Sequence, residues 1–101
     1  MIKHIEELEE LKREISDGRV LVDFFATWCG PCRQVGPILE DLDNDPAFGV
    51  QIVKIDVDEA GDIAALFGIQ SIPTFIYFNN GQAVRKNVGF MRRDQIIEFV
   101  K

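Results

Sequence analysis

Histidine, tryptophan and cysteine are scarce in this chain. His4, Trp28 and the pair Cys29 and Cys32 are their only occurrences in 101 residues. That scarcity excludes a good deal of chemistry. A structural zinc site needs about four ligands. Two thiols and one distant imidazole do not supply them, short of a site shared between two molecules, so no bound metal is expected. No Gly-x-Gly-x-x-Gly occurs, so no dinucleotide-binding turn is expected and no bound cofactor. No apolar run approaches the roughly 20 residues that cross a bilayer. The first residues, Met1 to Glu7, lack an apolar signal core and turn acidic at once, which gives the expectation of a cytoplasmic protein without a leader. Positive charge is the minority sign. Eleven Lys and Arg stand against 17 Asp and Glu, a net charge of −6. This argues against a nucleic-acid surface. The basic pairs Lys12-Arg13, Arg85-Lys86 and Arg92-Arg93 read as solvated surface.

What is present is a folded composition, 47% hydrophobic and 28% charged, with no repeat, low-complexity tract or linker. One domain over residues 1–101 is expected, a monomer by default. Residues 2–5 suit a short edge strand. Ile5, Leu8, Leu11 and Ile15 mark one face of a helix over about 6–16, with Glu9 and Arg13 spaced to pair. Gly18 suits its C-terminal end. Residues 20–26 are apolar on both alternating faces, so helices should cover both sides of the sheet. Val35, Ile38, Leu39 and Leu42 mark a helix over 31–43, interrupted by Pro37, which is expected to kink it. Residues 50–57 form the next strand, parallel to the first across a βαβ crossover. Asp58 is placed to cap a short helix over 59–67 with Ile63, Leu66 and Phe67 inward. Pro73 marks the start of a strand over 75–78 and a position where a cis bond can occur. Asn79-Asn80-Gly81 signals a hairpin into a polar edge strand over 82–88. A last helix spans about 92–100, with Ile96, Ile97 and Val100 inward and Arg92 as a poor N-cap. The sum is an α/β domain with a mixed sheet.

The cysteines stand at the junction of the first long strand and the helix that begins with Pro31. Unpaired N–H groups and the helix dipole favour a thiolate there. Cys29 should therefore ionise more readily than a free cysteine, by roughly one to five pKa units. A second thiol one turn on, Cys32, can displace whatever Cys29 has attacked, which is thiol–disulfide exchange. A purely structural bridge would close too small a loop to stabilise the fold much. Asp23 is the second anomaly, a carboxyl on a strand that should be buried. Burial raises its pKa and suits it to accept or relay the proton of Cys32. The bland reading is an aspartate satisfied by backbone or water. Lys54, on the neighbouring strand, is placed to tune Asp23 if it shares that face. Trp28 reads as a surface aromatic beside the reacting sulfur, and His4 as strand-edge surface.

Trp28-Cys29-Gly30-Pro31-Cys32, Val22-Asp23-Phe24 before it and Pro37 after it resemble the thioredoxin family. So do Val53-Lys54-Ile55-Asp56-Val57-Asp58, Phe67-Gly68-Ile69, Ile72-Pro73-Thr74, Asn80-Gly81 and Val88-Gly89, in family order and over essentially the whole chain. The resemblance implies the thioredoxin fold, a central mixed five-stranded sheet flanked by four helices, with a cis Ile72-Pro73 bond beside the cysteines. It implies a protein-disulfide reductase working through a reversible Cys29–Cys32 disulfide, with disulfide-containing client proteins as partners. A separate NADPH-dependent flavin enzyme, thioredoxin reductase, would regenerate it. Trp28, Gly30, Pro31, Ile72, Pro73 and Gly89 would form the client contact patch, with the Ile72 backbone pairing to an extended client segment. Asp23 would be the buried acid and Lys54 its neighbour. A disulfide oxidase or isomerase, or a redox-gated binding partner without catalysis, are the alternatives. The chain departs from the family at Arg33, often lysine; Phe25, often tryptophan; Phe90, often small; and Arg92, where a capping residue is usual. Phe90 makes the patch bulkier and bears on client preference.

Overall fold

Residues 1–101 are described by a computed structural model. Chain order is β1 (Lys3–His4), α1 (Leu8–Ile15), β2 (Arg19–Phe25), α2 (Gly30–Asp43), β3 (Gln51–Asp56), α3 (Gly61–Leu66), β4 (Thr74–Asn79), β5 (Gln82–Val88) and α4 (Arg93–Phe99). The five strands form one sheet in the order β1-β3-β2-β4-β5. β1, β3 and β2 run parallel, and β4 and β5 are antiparallel to their neighbours. This is the mixed five-stranded sheet with four helices that the sequence led one to expect.

β2 lies at the centre and explains its own composition. Leu21 packs with Val35, Leu39 and Leu42 of α2 and with Ile96 and Val100 beside it. Val20, Val22 and Phe24 pack on the other face with Leu11 of α1 and Ile63 of α3. A strand covered on both faces has no solvent side on which to put polar residues. The β4–β5 hairpin turns through Asn80 and Gly81, both at positive φ, 50° and 88°. That pair of left-handed residues matches the twist of the flanking strands.

Helix ends are where expectation and structure part. Asp58 does not cap α3. Ala60 is its N-cap residue and offers no side-chain bond. The Asp58 carboxylate instead accepts from the indole N–H of Trp28 at 2.8 Å. Leu66 points outward, 62% exposed, and Ala64 takes the buried place beside Ile63. Glu9 pairs with Lys12 at 3.5 Å, one residue short of Arg13. The helix C-cap is Ser16, with the left-handed Gly18 two residues beyond it. α2 runs unbroken through Pro37, whose ring lies exposed. At α4, Arg92 has no acceptor to offer, but Gln95 Oε1 accepts the Arg92 backbone N–H at 2.8 Å. The other end of α4 has no basic residue in its last turn. Arginines from the sheet fill that role. Arg85 donates to the carbonyls of Phe99 and Lys101 at 2.9 and 2.7 Å. Arg19 donates to the Val100 carbonyl and to the Tyr77 hydroxyl.

The hairpin yields a test. Gly81 sits at φ +88° with the Ser16 carbonyl oxygen 3.6 Å from where a Cβ would lie, an ordinary contact. Gly81→Ala should therefore cost only the left-handed strain, about 1–2 kcal/mol, as a lower urea midpoint with an unchanged denaturant slope. An unchanged midpoint would contradict the turn geometry.

Candidate active site

The site is assembled by strand register. Phe24 of β2 lies opposite Thr74 of β4 and Ile55 of β3, and Thr74 lies opposite Val88 of β5. One row across the sheet thus ends β2, starts β4 and ends β5. Whatever follows Phe25, precedes Thr74 or follows Val88 must emerge at the same edge. Those segments are Thr27–Cys32, Ile72–Pro73 and Gly89–Phe90. Val57 and Asp58 arrive there from β3.

Cys29 and Cys32 form a disulfide, with Cα atoms 5.2 Å apart. Cys29 is the N-cap residue of α2 (φ −83°, ψ 117°), and its Sγ accepts the Cys32 backbone N–H at 3.3 Å. The two sulfurs are almost equally hidden, their residues 5% and 3% exposed. Exposure therefore does not tell them apart. The helix terminus does, because an amide N–H and the positive end of the α2 dipole face Cys29 and favour its anion. Ala26, Phe25, Val57 and Ile72 pack around the pair.

The peptide bond Ile72-Pro73 is cis. The Ile72 carbonyl oxygen lies 3.8 Å from Cys29 Sγ. Gly89, at φ +105°, donates its N–H to the Pro73 carbonyl at 2.8 Å. Trp28 stands out at 66% exposed. Pro31 is exposed, Gly30, Ile72 and Gly89 are half-buried, and Pro73 is buried. All six residues expected of the patch are thus brought to one edge, with Pro73 beneath the surface. Phe90 is 41% exposed beside Gly89. Trp28, Val57, Ile69, Gln70 and Ile72 line a cavity of about 160 Å³ next to the disulfide. Sequence reasoning missed Asp58, Val57 and Gln70 as parts of this edge. Only the pairing of Phe25 with Asp56 reveals that the end of β3 arrives beside the Trp28 turn.

Asp23 is fully buried, and neither carboxyl oxygen has a hydrogen-bond partner. No backbone or side-chain donor of the protein satisfies either Asp23 oxygen. Its pKa is pushed up from 3.8 to about 7 by burial, with the positive charge of Lys54 pulling partly the other way. Lys54 is its Cα partner across β2–β3. Paired residues project to one face of a sheet, so Lys54 shares the face of Asp23. The Lys54 ammonium lies over the Phe25 ring, 4.4 Å from its centroid. His4, the Cα partner of Lys54 across β1–β3, meets the same ring edge-on at 6.2 Å. It stands at the strand edge, as expected, and not beside the sulfurs. Arg33 turns back to donate to the Thr27 carbonyl at 3.3 Å. No group of three or more His, Cys, Asp or Glu is arranged to hold a metal.

Comparison with known proteins agrees with this geometry. The family model described as thioredoxin matches residues 3–101. The chain belongs to the thioredoxin family. It is 42% identical to the thioredoxin of Bacillus subtilis over 91% of this chain and 88% of that protein. It is 48% identical to the thioredoxin of Staphylococcus haemolyticus over 83% and 81%. A mutant thioredoxin from Halobacterium salinarum superposes with a TM-score of 0.91 at 32% identity, covering 98% of this chain and 87% of that one. Mitochondrial thioredoxin 3 of Saccharomyces cerevisiae, in its oxidised form, gives 0.87 at 34% identity, covering 98% and 92%. The thioredoxin family comprises oxidoreductases acting on disulfides, and the Cys29–Cys32 pair fits its active site.

Two outcomes follow from the geometry. Between about pH 4 and about pH 7 folded Asp23 keeps its proton while the unfolded chain has released it. Stability should therefore be full below about pH 4, fall as pH rises, and level off above about pH 7, a loss of up to roughly 4 kcal/mol. Asp23→Ala should remove that slope, read by urea unfolding of the oxidised protein across the range. Parallel profiles for the two proteins would acquit Asp23. Separately, Asp58→Ala should free the only indole in the chain. Its fluorescence anisotropy should drop with the fold intact, and an unchanged value would mean that the bond to Asp58 does not hold Trp28.

Proposed function

We propose that this single thioredoxin domain acts as a monomeric general protein-disulfide reductase. The observation that carries the reading is the disulfide at the N-terminus of α2, with the Cys32 N–H directed at Cys29 Sγ and an unpartnered buried carboxyl on the strand that leads to it.

The chemistry balances as two thiol–disulfide exchanges. In the reduced protein, the Cys29 thiolate attacks one sulfur of a client disulfide. That S–S bond breaks, a mixed disulfide forms, and one client thiolate leaves. Cys32 then gives up its proton and attacks Cys29 Sγ, which breaks the mixed disulfide and releases the second client thiolate. Two electrons pass from the dithiol to the client, and the protein is left with the Cys29–Cys32 bond. Asp23 is the proposed acceptor for the Cys32 proton. A carboxyl with a pKa of about 7 is close to evenly divided between its two forms at neutral pH, which suits it to take up a proton and return it. Lys54 modulates that carboxyl by charge. Trp28, Gly30, Pro31, Ile72, Pro73 and Gly89 form the client platform, with the Ile72 backbone offered to an extended client segment.

No bound cofactor takes part in these steps. The electrons come from a separate NADPH-dependent thioredoxin reductase, and the protein serves as a carrier in electron transport that maintains redox homeostasis in the cytoplasm. No helix is long and apolar enough to cross a membrane, and the acidic net charge disfavours nucleic acid as a partner.

The deciding measurement is the equilibrium reduction potential of the Cys29/Cys32 pair in a defined dithiol buffer. A value near −270 mV, the approximate figure known for thioredoxin itself, fits a reductant. A value of roughly −120 to −180 mV would replace this reading with an oxidase or isomerase. Cys32→Ser should accumulate a mixed disulfide with a client, and Cys29→Ser should not. Activity surviving in a Cys29→Ser, Cys32→Ser variant would mean that the protein works as a binding partner.

A further inference from the structure

Phe25 occupies an unusual position between two groups that the proposed mechanism treats separately. It packs against the buried cluster of Ala26, Cys29 and Cys32. Over the ring, 4.4 Å from the centroid, stands the Lys54 ammonium. Lys54 takes part in none of the ion pairs in the protein. Its Cα partner Asp23 has two orphaned oxygens, so the cation stops short of the carboxylate as well. Acidic side chains share a cavity with Lys54. His4, Glu6, Phe25, Thr27, Lys54, Asp56 and Glu59 line one cavity of about 310 Å³, and three of these residues are acidic. A flexible four-carbon stem carrying a strongly hydrated ammonium would ordinarily favour those carboxylates or water. It rests on an aromatic face instead.

We infer that Phe25 is a positioning residue, whose ring holds the Lys54 ammonium on the Asp23 side of the β2–β3 pair, close enough to act on the buried carboxyl by charge yet not paired with it. The distinction matters chemically. A full ion pair would lock Asp23 in its ionised form. A cation lost to Asp56, Glu59 or Glu6 would leave Asp23 under burial alone. The ring selects the intermediate arrangement. The attraction of a cation to a phenyl face at a partly exposed site is modest. That is enough to bias a side chain among nearby alternatives. Lys54 is the one charged group that acts on Asp23, and the titratable groups that share the Lys54 cavity are Asp56 from β3, His4 from β1, and Glu6 and Glu59 from the adjoining loops. β4 contributes only the apolar Phe75 opposite Asp23, and Cys32 of α2 is held in the disulfide.

This inference refines the proposed role of Asp23, and its test is independent of that role because it reads the carboxyl and not turnover. The Asp23 side-chain carbon is followed by NMR through a pH titration of the oxidised protein, in which the cysteines do not titrate and cannot couple to it. Lys54→Met is introduced in three backgrounds: native, Phe25→Leu and Phe25→Trp. With Phe25 in place, loss of the lysine charge should raise the Asp23 midpoint. In Phe25→Trp, which keeps an aromatic face, the rise should persist. In Phe25→Leu it should shrink to roughly half or less, because the ammonium has already left. Comparing each pair within one background cancels the change in burial caused by the leucine itself. An equal rise in the leucine background would overturn the inference, as would the absence of any rise in the native one. Should Phe25→Leu fail to fold, Phe25→Met, which also removes the aromatic face, takes its place: a rise of roughly half or less supports the ring as the tether, and a rise equal to the native one overturns it.

Discussion

Everything at the site depends on the register of β2 against its two neighbours. Hydrogen bonding places Phe24 in a row with Ile55, Thr74 and, through Thr74, Val88. Because β4 runs opposite to β2, the end of one strand and the beginning of the other lie at the same sheet edge. The disulfide turn, the cis Ile72-Pro73 segment, the Gly89 turn and the Trp28–Asp58 bond are gathered there by backbone pairing alone. A shift of one residue in β2 would reverse every side chain on it. Leu21 would leave the α2 side, Val22 would enter it, and Asp23 would move to the opposite face. The two-sided core makes such a slip costly, so the packing of Val20, Leu21, Val22 and Phe24 also specifies the geometry of the site.

How legible this was in the sequence depended on whether a feature is local. Strand β2 could be read because both of its faces are apolar, and α2 because Val35, Ile38, Leu39 and Leu42 repeat with helical spacing. The Asn80-Gly81 turn announces itself because few residues accept two successive left-handed conformations. The cysteine pair and Asp23 stood out as anomalies against their surroundings. Helix ends were less legible, because capping is a relation between residues. Arg92 taken alone is a poor cap; Gln95, three residues on, satisfies the exposed N–H in its place. Asp58 has the right chemistry and position to cap α3, yet it is claimed by Trp28, thirty residues earlier. The clamp of Arg19 and Arg85 on the last carbonyls of α4 likewise joins segments far apart in sequence, and nothing local to α4 signals it. Leu66 fits the apolar pattern of α3, but six helical residues are too short a run for periodicity to decide which side faces the core.

The same reasoning explains why the family resemblance and the bottom-up reading agreed on some residues more firmly than on others. Cys29 and Cys32 rest on chemistry that needs two thiols one helical turn apart. Asp23 rests on the cost of a carboxyl in a buried strand. The proposed contact patch is less tightly specified, since it asks only for an accessible, mostly apolar surface. Its members differ widely in exposure, from prominent Trp28 to buried Pro73. Phe90 adds aromatic surface at that edge, 41% exposed, so on the proposed reading client preference is the property most open to variation.

Asp23 shows what the fold surrenders for its chemistry. An alanine or leucine there would bury no polar atom, whereas the native carboxyl buries two oxygens that no protein group satisfies. Above neutral pH this chain must either carry a desolvated charge in its core or hold a proton that water would readily take. Both are penalties on the native state relative to the unfolded one. A compact sheet with apolar clusters on both faces can absorb such a penalty; a smaller or looser core could not. The location of the defect is also informative. It lies on the strand that delivers the cysteines, on the face of the sheet that α2 covers and opposite a lysine on the next strand. On the proposed mechanism, stability given up at one buried carboxyl is the cost of keeping a proton mobile on the strand that leads to a disulfide that must open and close.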